Sequence, residues 1–184
     1  MKIKNKIEKE LKAKGNFLVL LDARAENYFN AIMESLKLVL DRESKGIYVT
    51  ISSPSEYLTA EMQKRSIKTD DVLFIDCVSS MAGEYFAQSE NSVFVESPSA
   101  LEEIGMHITS LLNKIESDKK FLIMDSFSTL LIYNSKNSVK EFAMFLINKL
   151  RLEGVSGILV VIEREVPDDL EQILIAMCDK VIHV

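Results

Sequence analysis

Phe121-Leu122-Ile123-Met124-Asp125, preceded by Lys119-Lys120 and followed by Ser126-Phe127-Ser128-Thr129-Leu130-Leu131, decides the reading of this chain. An apolar run this short, flanked by lysines and closed by an acid, is predicted to be a buried parallel strand. It delivers a carboxylate to its C-terminal end, where open α/β sheets bind ligands. Similar runs recur, so strands are expected at Phe17–Leu21, Ile47–Ile51, Val72–Asp76, Phe121–Asp125, Ile158–Ile162 and Lys180–Val184, with a short extended piece at Ser92–Val95. Helical patterns fill the intervals at Asn27–Arg42, Pro54–Arg65, Ala100–Ser117, Val139–Glu153 and Asp168–Met177. This alternation implies a three-layer α/β/α fold with a mainly parallel sheet of about six strands.

Several boundaries carry local signals. Ser53-Pro54-Ser55-Glu56 and Ser99-Ala100-Leu101-Glu102 read as helix starts with Ser53 and Ser99 as caps. Gly154, after Lys149-Leu150-Arg151, reads as a helix stop. Residues 1–15 read as a separate basic helix, with Ile3, Ile7 and Leu11 on one stripe among six lysines. Its expected use is docking on the chain's own sheet edge or on a second subunit. Residues 16–184 are expected to form one domain.

Composition narrows the function classes. The chain has 184 residues, 47% hydrophobic and 27% charged, which is ordinary globular usage. No apolar run approaches a membrane span, and no signal-peptide core follows the basic N-terminus. A net charge of −6 disfavours general nucleic-acid binding. Cys77 and Cys178 lack metal-ligand or redox spacing and are expected to be buried thiols of a cytoplasmic protein. His107 and His183 have no partner that the sequence places.

Taken together, the runs resemble the RecA-like ATPases of the KaiC type. Gly46–Thr50 looks like that family's second core strand, Asp70–Asp76 like the strand after its next helix, and Lys120–Leu131 like the Walker B strand and its turn. Gly157–Glu163 and the acid-led Cys178–Val184 look like the last two strands. The resemblance spans roughly residues 15–184. It implies a P-loop-NTPase-like topology, with the Phe17 strand beside the Ile158 strand, the Asp125 strand one further along, and Val72–Asp76 near an edge. It also implies that Asp125 occupies the Mg²⁺-holding position.

The departures lie at the nucleotide site. Laid on the Gly-x-x-x-x-Gly-Lys-Ser/Thr loop without gaps, the sequence puts Asp22 and Asn27 at the glycines, Tyr28 at the lysine and Phe29 at the Ser/Thr. Bulky residues resist the backbone curl that cradles phosphate. Ser52 and Ser53 stand where the family carries catalytic glutamates, and Asp125, followed by Ser126 in the degenerate site, alone remains of the hydrolytic set. Carboxylates at Asp22 and Glu26 would repel phosphate, by ~4 kcal/mol for like charges about 4 Å apart at an effective dielectric near 20.

The expected protein is therefore a degenerate member, a pseudo-ATPase without catalytic residues or cofactor. It binds nucleotide weakly or not at all and works through a protein partner or self-association, with no nucleic acid or membrane involved. Tyr28 and Phe29 read as a plug in the vacated pocket. The irregular stretch Ser79–Asn91, with Met81, Tyr85 and Phe86, is the expected contact element. An alternative is an enzyme or small-ligand-binding domain reusing the crevice around Asp22, Arg24, Glu26, Ser52, Asp76, Asp125 and Ser126. A recombinase accessory that binds DNA is a third reading, carried by kinship alone.

Overall fold

The computed structural model describes residues 3–11, 15–83 and 90–184. Its strands are β1 (Leu18–Ala23), β2 (Lys45–Thr50), β3 (Val72–Asp76), β4 (Ser92–Phe94), β5 (Lys120–Asp125), β6 (Ser156–Ile162) and β7 (Lys180–His183). They form one parallel sheet in the order β4-β3-β2-β5-β6-β1-β7. β1 lies beside β6, β5 is one strand further, and β3 sits one place inside the edge, as expected. The extended piece at Ser92–Val95 becomes a seventh strand because Ser92–Phe94 pairs with β3.

Side-chain alternation divides the core between two faces. Val19, Leu21, Tyr48, Phe121 and Ile123 pack towards α1 (Ile3–Leu11), α2 (Tyr28–Leu40) and α3 (Ser55–Lys64). Leu18, Leu20, Ile47, Val49, Leu122 and Met124 pack towards α4 (Leu101–Lys114), α5 (Phe127–Tyr133), α6 (Lys136–Leu152) and α7 (Asp168–Met177). With both faces covered, the strands carry no polar alternation, which is why they read as continuous apolar runs. Helix α1 lies on α2 and reaches edge strand β7, with Ile7 fully buried. Lys2, Lys12 and Lys14 of the expected basic helix fall outside the described residues, as do Tyr85 and Phe86 of the Ser79–Asn91 stretch.

Local chemistry corrects several boundaries. The expected turn after Asp125 is helix α5, because the Ser126 hydroxyl accepts the Thr129 N–H at 3.2 Å and buries Phe127 and Leu130 beneath it. Helix α6 starts at Lys136 rather than Val139, capped by Ser135, which accepts the Ser138 N–H at 3.1 Å. Ser53 and Ser99 are not caps. The Ser55 N–H that opens α3 donates to Asp76 Oδ2 at 2.7 Å, and a distant carboxylate thereby replaces the local serine. Before α4, Ser97 organises the turn by accepting the Ser99 N–H at 3.2 Å. Gly154 does end its helix, at φ 64°, with the Val155 N–H donating back to the Leu150 carbonyl at 2.9 Å.

Two sheet glycines differ in how firmly the fold requires them. A Cβ at Gly46 would collide with the backbone carbonyl and ring of Phe121, its partner on β5. A Cβ at Gly157 would meet only the tips of Leu18 and Leu150, at 2.7 and 2.8 Å. Gly46→Ala is therefore expected to cost at least ~3 kcal/mol, and Gly157→Ala on the order of 1 kcal/mol, because flexible side chains yield where backbone does not. Urea unfolding of the two variants checks the ranking.

Candidate functional site

Strand β2 leads to α3 on one face of the sheet, while its neighbour β5 leads to α5 on the other. Divergent connections of this kind open a crevice at the carboxyl ends of the two strands. Asp125 closes β5 at that point, opposite Thr50 in the register, and Ser52 follows β2. The peptide joining Asp125 to Ser126 is cis.

Hydroxyl groups occupy the crevice. Asp125 is 3% exposed and receives the Tyr48 hydroxyl on Oδ2 at 2.6 Å and the Ser52 hydroxyl on Oδ1 at 3.1 Å. Tyr28 extends the chain, its hydroxyl 3.1 Å from Ser52 Oγ, and either hydroxyl can donate in that pair. A continuous relay results, from Tyr28 at the start of α2 through Ser52 to Asp125, met from the sheet interior by Tyr48. Burial pushes the Asp125 carboxyl up to about 8, while the two hydroxyl donors favour its ionised form and oppose the rise. Burial also drives the Tyr48 phenol far above its ordinary range, leaving it a neutral donor.

Asp76 ends β3 on the other side of β2 and meets a different environment. Burial acts to raise its pKa, but the Ser55 and Ser79 amides, the Ser79 hydroxyl and the Val78 amide all donate to it and together hold it below the ordinary carboxylate range. This ionised carboxylate ties the start of α3 to the turn after β3. Its role was not legible in the sequence, because the α3 donor lies 21 residues away.

The remaining singled-out residues separate. Tyr28 reaches the relay, whereas Phe29 packs on the α3 side, 6.3 Å from the Tyr57 ring with the Arg65 guanidinium 5.3 Å from its centroid. Strand β1 runs through Asp22 to Ala23, so only Arg24–Asn27 connect it to α2. In that connection the Asn27 and Tyr28 amides both donate to the Arg24 carbonyl at 2.9 Å. Asp22 shares the opposite sheet face with Leu18 and Leu20, its Oδ2 2.7 Å from His183 Nδ1. It is thus not gathered with Asp125, and His183 has a partner after all. His107 has one too, Glu103 at 3.6 Å. Glu26 is exposed, and Arg24 pairs at the surface with Glu163 at 3.4 Å, where β1 and β6 diverge. Ser53 offers its carbonyl to the Thr50 hydroxyl at 2.5 Å, and Ser126 is spent on capping α5.

Residues 15–184 match the model described as "Family of unknown function (DUF7504)". The chain belongs to that family. No curated protein matches this DUF7504 chain. Solved structures do. A KaiC-like protein from the hyperthermophilic archaeon Pyrococcus horikoshii superposes with a TM-score of 0.64 at 15% identity, over 91% of this chain and 70% of the other. An uncharacterized protein of Pyrococcus horikoshii, solved in complex with an unknown peptide, gives 0.65 at 14% identity over 96% and 81%. The flagellar accessory protein FlaH of Methanocaldococcus jannaschii gives 0.64 at 11% identity over 98% and 76%. At these identities the likeness is one of fold, and the DUF7504 chain has the RecA-like fold of the KaiC and FlaH proteins. No helix among the described residues is long and apolar enough to cross a membrane.

The two acids give opposite pH signatures. Unfolded, Asp125 titrates near ~3.9; folded, its carboxyl is pushed up to about 8. Between those values the native state holds a proton that the unfolded state lacks, so stability falls as pH rises, by up to ~1.4 kcal/mol per unit. Urea midpoints from pH 5 to 8 are expected to decline in the wild type and to decline less in Asp125→Asn. Asp76, depressed in the folded state, stabilises above its unfolded pKa, and that contribution is lost as pH falls through the folded value. Asp76→Asn is accordingly expected to cost ~2–4 kcal/mol at pH 7 by urea unfolding, with a smaller loss at pH 3.

Proposed function

We propose that this chain is a non-catalytic RecA/KaiC-like domain, a pseudo-ATPase that acts through protein–protein contact in a regulatory or scaffolding role. The carrying observation is the Tyr28–Ser52–Asp125 relay, in which the protein's own hydroxyls engage the carboxylate that the resemblance assigns to the metal. The family resemblance assigns Mg²⁺ binding to Asp125. Here both carboxylate oxygens hold hydroxyls, and burial favours the protonated form, a poor cation ligand. Phosphate binding at this position calls for outward backbone amides, yet the Asn27 and Tyr28 amides are turned onto the Arg24 carbonyl.

The contact half of the reading is supported by what the fold leaves outside. Met81, in the short 3₁₀ turn at Ser79–Ala82, is 52% exposed. A related scaffold from Pyrococcus horikoshii was solved with a peptide bound. A net charge of −6 favours protein over nucleic acid as the partner.

Isothermal titration with ATP and GTP, with and without Mg²⁺, is the direct test. The expected result is no saturable heat at physiological nucleotide concentration and no phosphate release. Micromolar affinity, or steady phosphate release abolished by Asp125→Ala, would overturn the reading.

A further inference from the structure

On the sheet face opposite the Asp125 relay, α4 and α6 stand apart and leave a groove of about 1190 Å³. Its apolar lining comes from Leu101, Met106, Phe142 and Phe145, set among serines, a threonine and an asparagine. Two of these are exposed to an unusual degree for residues of their size, Met106 at 73% and Phe145 at 45%. The volume exceeds the ~300–1,000 Å³ of ordinary small-molecule pockets, and the groove is flanked by helices on both sides. Gly105 shapes it. Mid-helix glycine is unfavourable relative to alanine, and a Cβ at this position would press on the Phe145 ring at 3.1 Å. The missing side chain is what lets that ring lie across α4.

The charge of the groove selects among occupants. Glu102, Glu103 and Glu141 line it, and among the described residues no lysine or arginine does. A two-fold dimer through this face would set those glutamates against their own copies, which opposes isologous pairing. The chain's own basic helix is engaged elsewhere, since Ile7 is fully buried where α1 lies on α2. Anionic lipid would be repelled. A cationic amphipathic helix meets every condition: apolar side chains at i, i+3 or i+4, and i+7 fill the floor, and flanking lysines or arginines meet the glutamates. The groove runs from Leu101 to Ser110 on α4, a length of ~14 Å at 1.5 Å per residue, which accepts two to three turns of such a helix.

We propose that the α4–α6 groove is a docking site for a basic amphipathic helix of a partner protein, with Met106 and Phe145 as apolar anchors and Glu102, Glu103 and Glu141 as charge readers. The inference rests on the protein-contact reading above and names the surface that the contact uses.

The test is selection from a displayed library of random 16-residue peptides against the full chain, followed by fluorescence anisotropy with the enriched synthetic peptides. Enriched peptides are expected to be cationic with helical apolar spacing. Met106→Gln and Phe145→Ala are each expected to weaken them about 10-fold or more. The triple variant Glu102→Gln/Glu103→Gln/Glu141→Gln is expected to weaken binding and flatten its salt dependence. Circular dichroism melts keep folding in view, and Met106 is exposed enough that its substitution leaves the core intact. No enrichment, acidic or extended winners, or affinity indifferent to Met106→Gln would overturn the proposal. So would a dimer, seen by light scattering, that Met106→Gln dissociates, since a second copy would then be the occupant. The nucleotide titrations report separately: silent titrations with a failed selection remove the groove alone, and nucleotide binding with a successful selection removes the pseudo-ATPase reading alone.

Discussion

Two carboxylates buried at the carboxyl ends of β3 and β5, on either side of β2, must find hydrogen-bond donors inside the protein. A buried carboxylate without donors would cost several kcal/mol, so the loops around these strand ends are arranged by that demand. Asp76 meets it with three backbone amides and one hydroxyl, and stays ionised. Asp125 meets it with two hydroxyls, and its burial is not fully offset. The start of α3, the turn after β3 and the start of α2 are all held by these two acids, directly or through Ser52.

The difference between the two environments has a functional side. Amides fixed by a turn are committed donors, which makes Asp76 an architectural anchor. Hydroxyls rotate and carry exchangeable protons, and here Tyr28 reaches the exposed Ser52 from α2. The two helical layers are thereby given different tasks. The α1–α3 layer carries Tyr28 and the N-terminal helix, while the α4–α7 layer leaves apolar side chains of α4 and α6 in water. That difference is why the proposed docking surface lies on α4 and α6, where large apolar groups stay exposed beside one another.

Much of the fold was legible in the chain because parallel strands covered on both faces have no choice but to be apolar throughout. Phe121–Met124, Ile158–Val161 and Val19–Leu21 announce themselves in this way, and Asp125 and Asp76 mark where those runs emerge. Gly154 likewise carried its own reason, a left-handed residue at a helix end. The order of the strands was not read from periodicity; it came with the family resemblance.

What only the tertiary structure decided is which distant groups meet. The serine caps expected at Ser53 and Ser99 fail because a carboxylate on β3 and a neighbouring serine reach those sites first. Tyr48 looked like one more apolar strand residue, although a buried tyrosine always needs a partner for its hydroxyl; that the partner is Asp125 follows from β2 lying beside β5. Asp22 and Asp125 both close apolar runs, yet the pleat turns Asp22 to the opposite face and towards His183. The sequence by itself determined the layers and the acids at their ends, since burial alone selects for those patterns. Which donor each acid received, and which helix faces stayed in water, depended on contacts between segments far apart in the chain, where sequence spacing carries no signal.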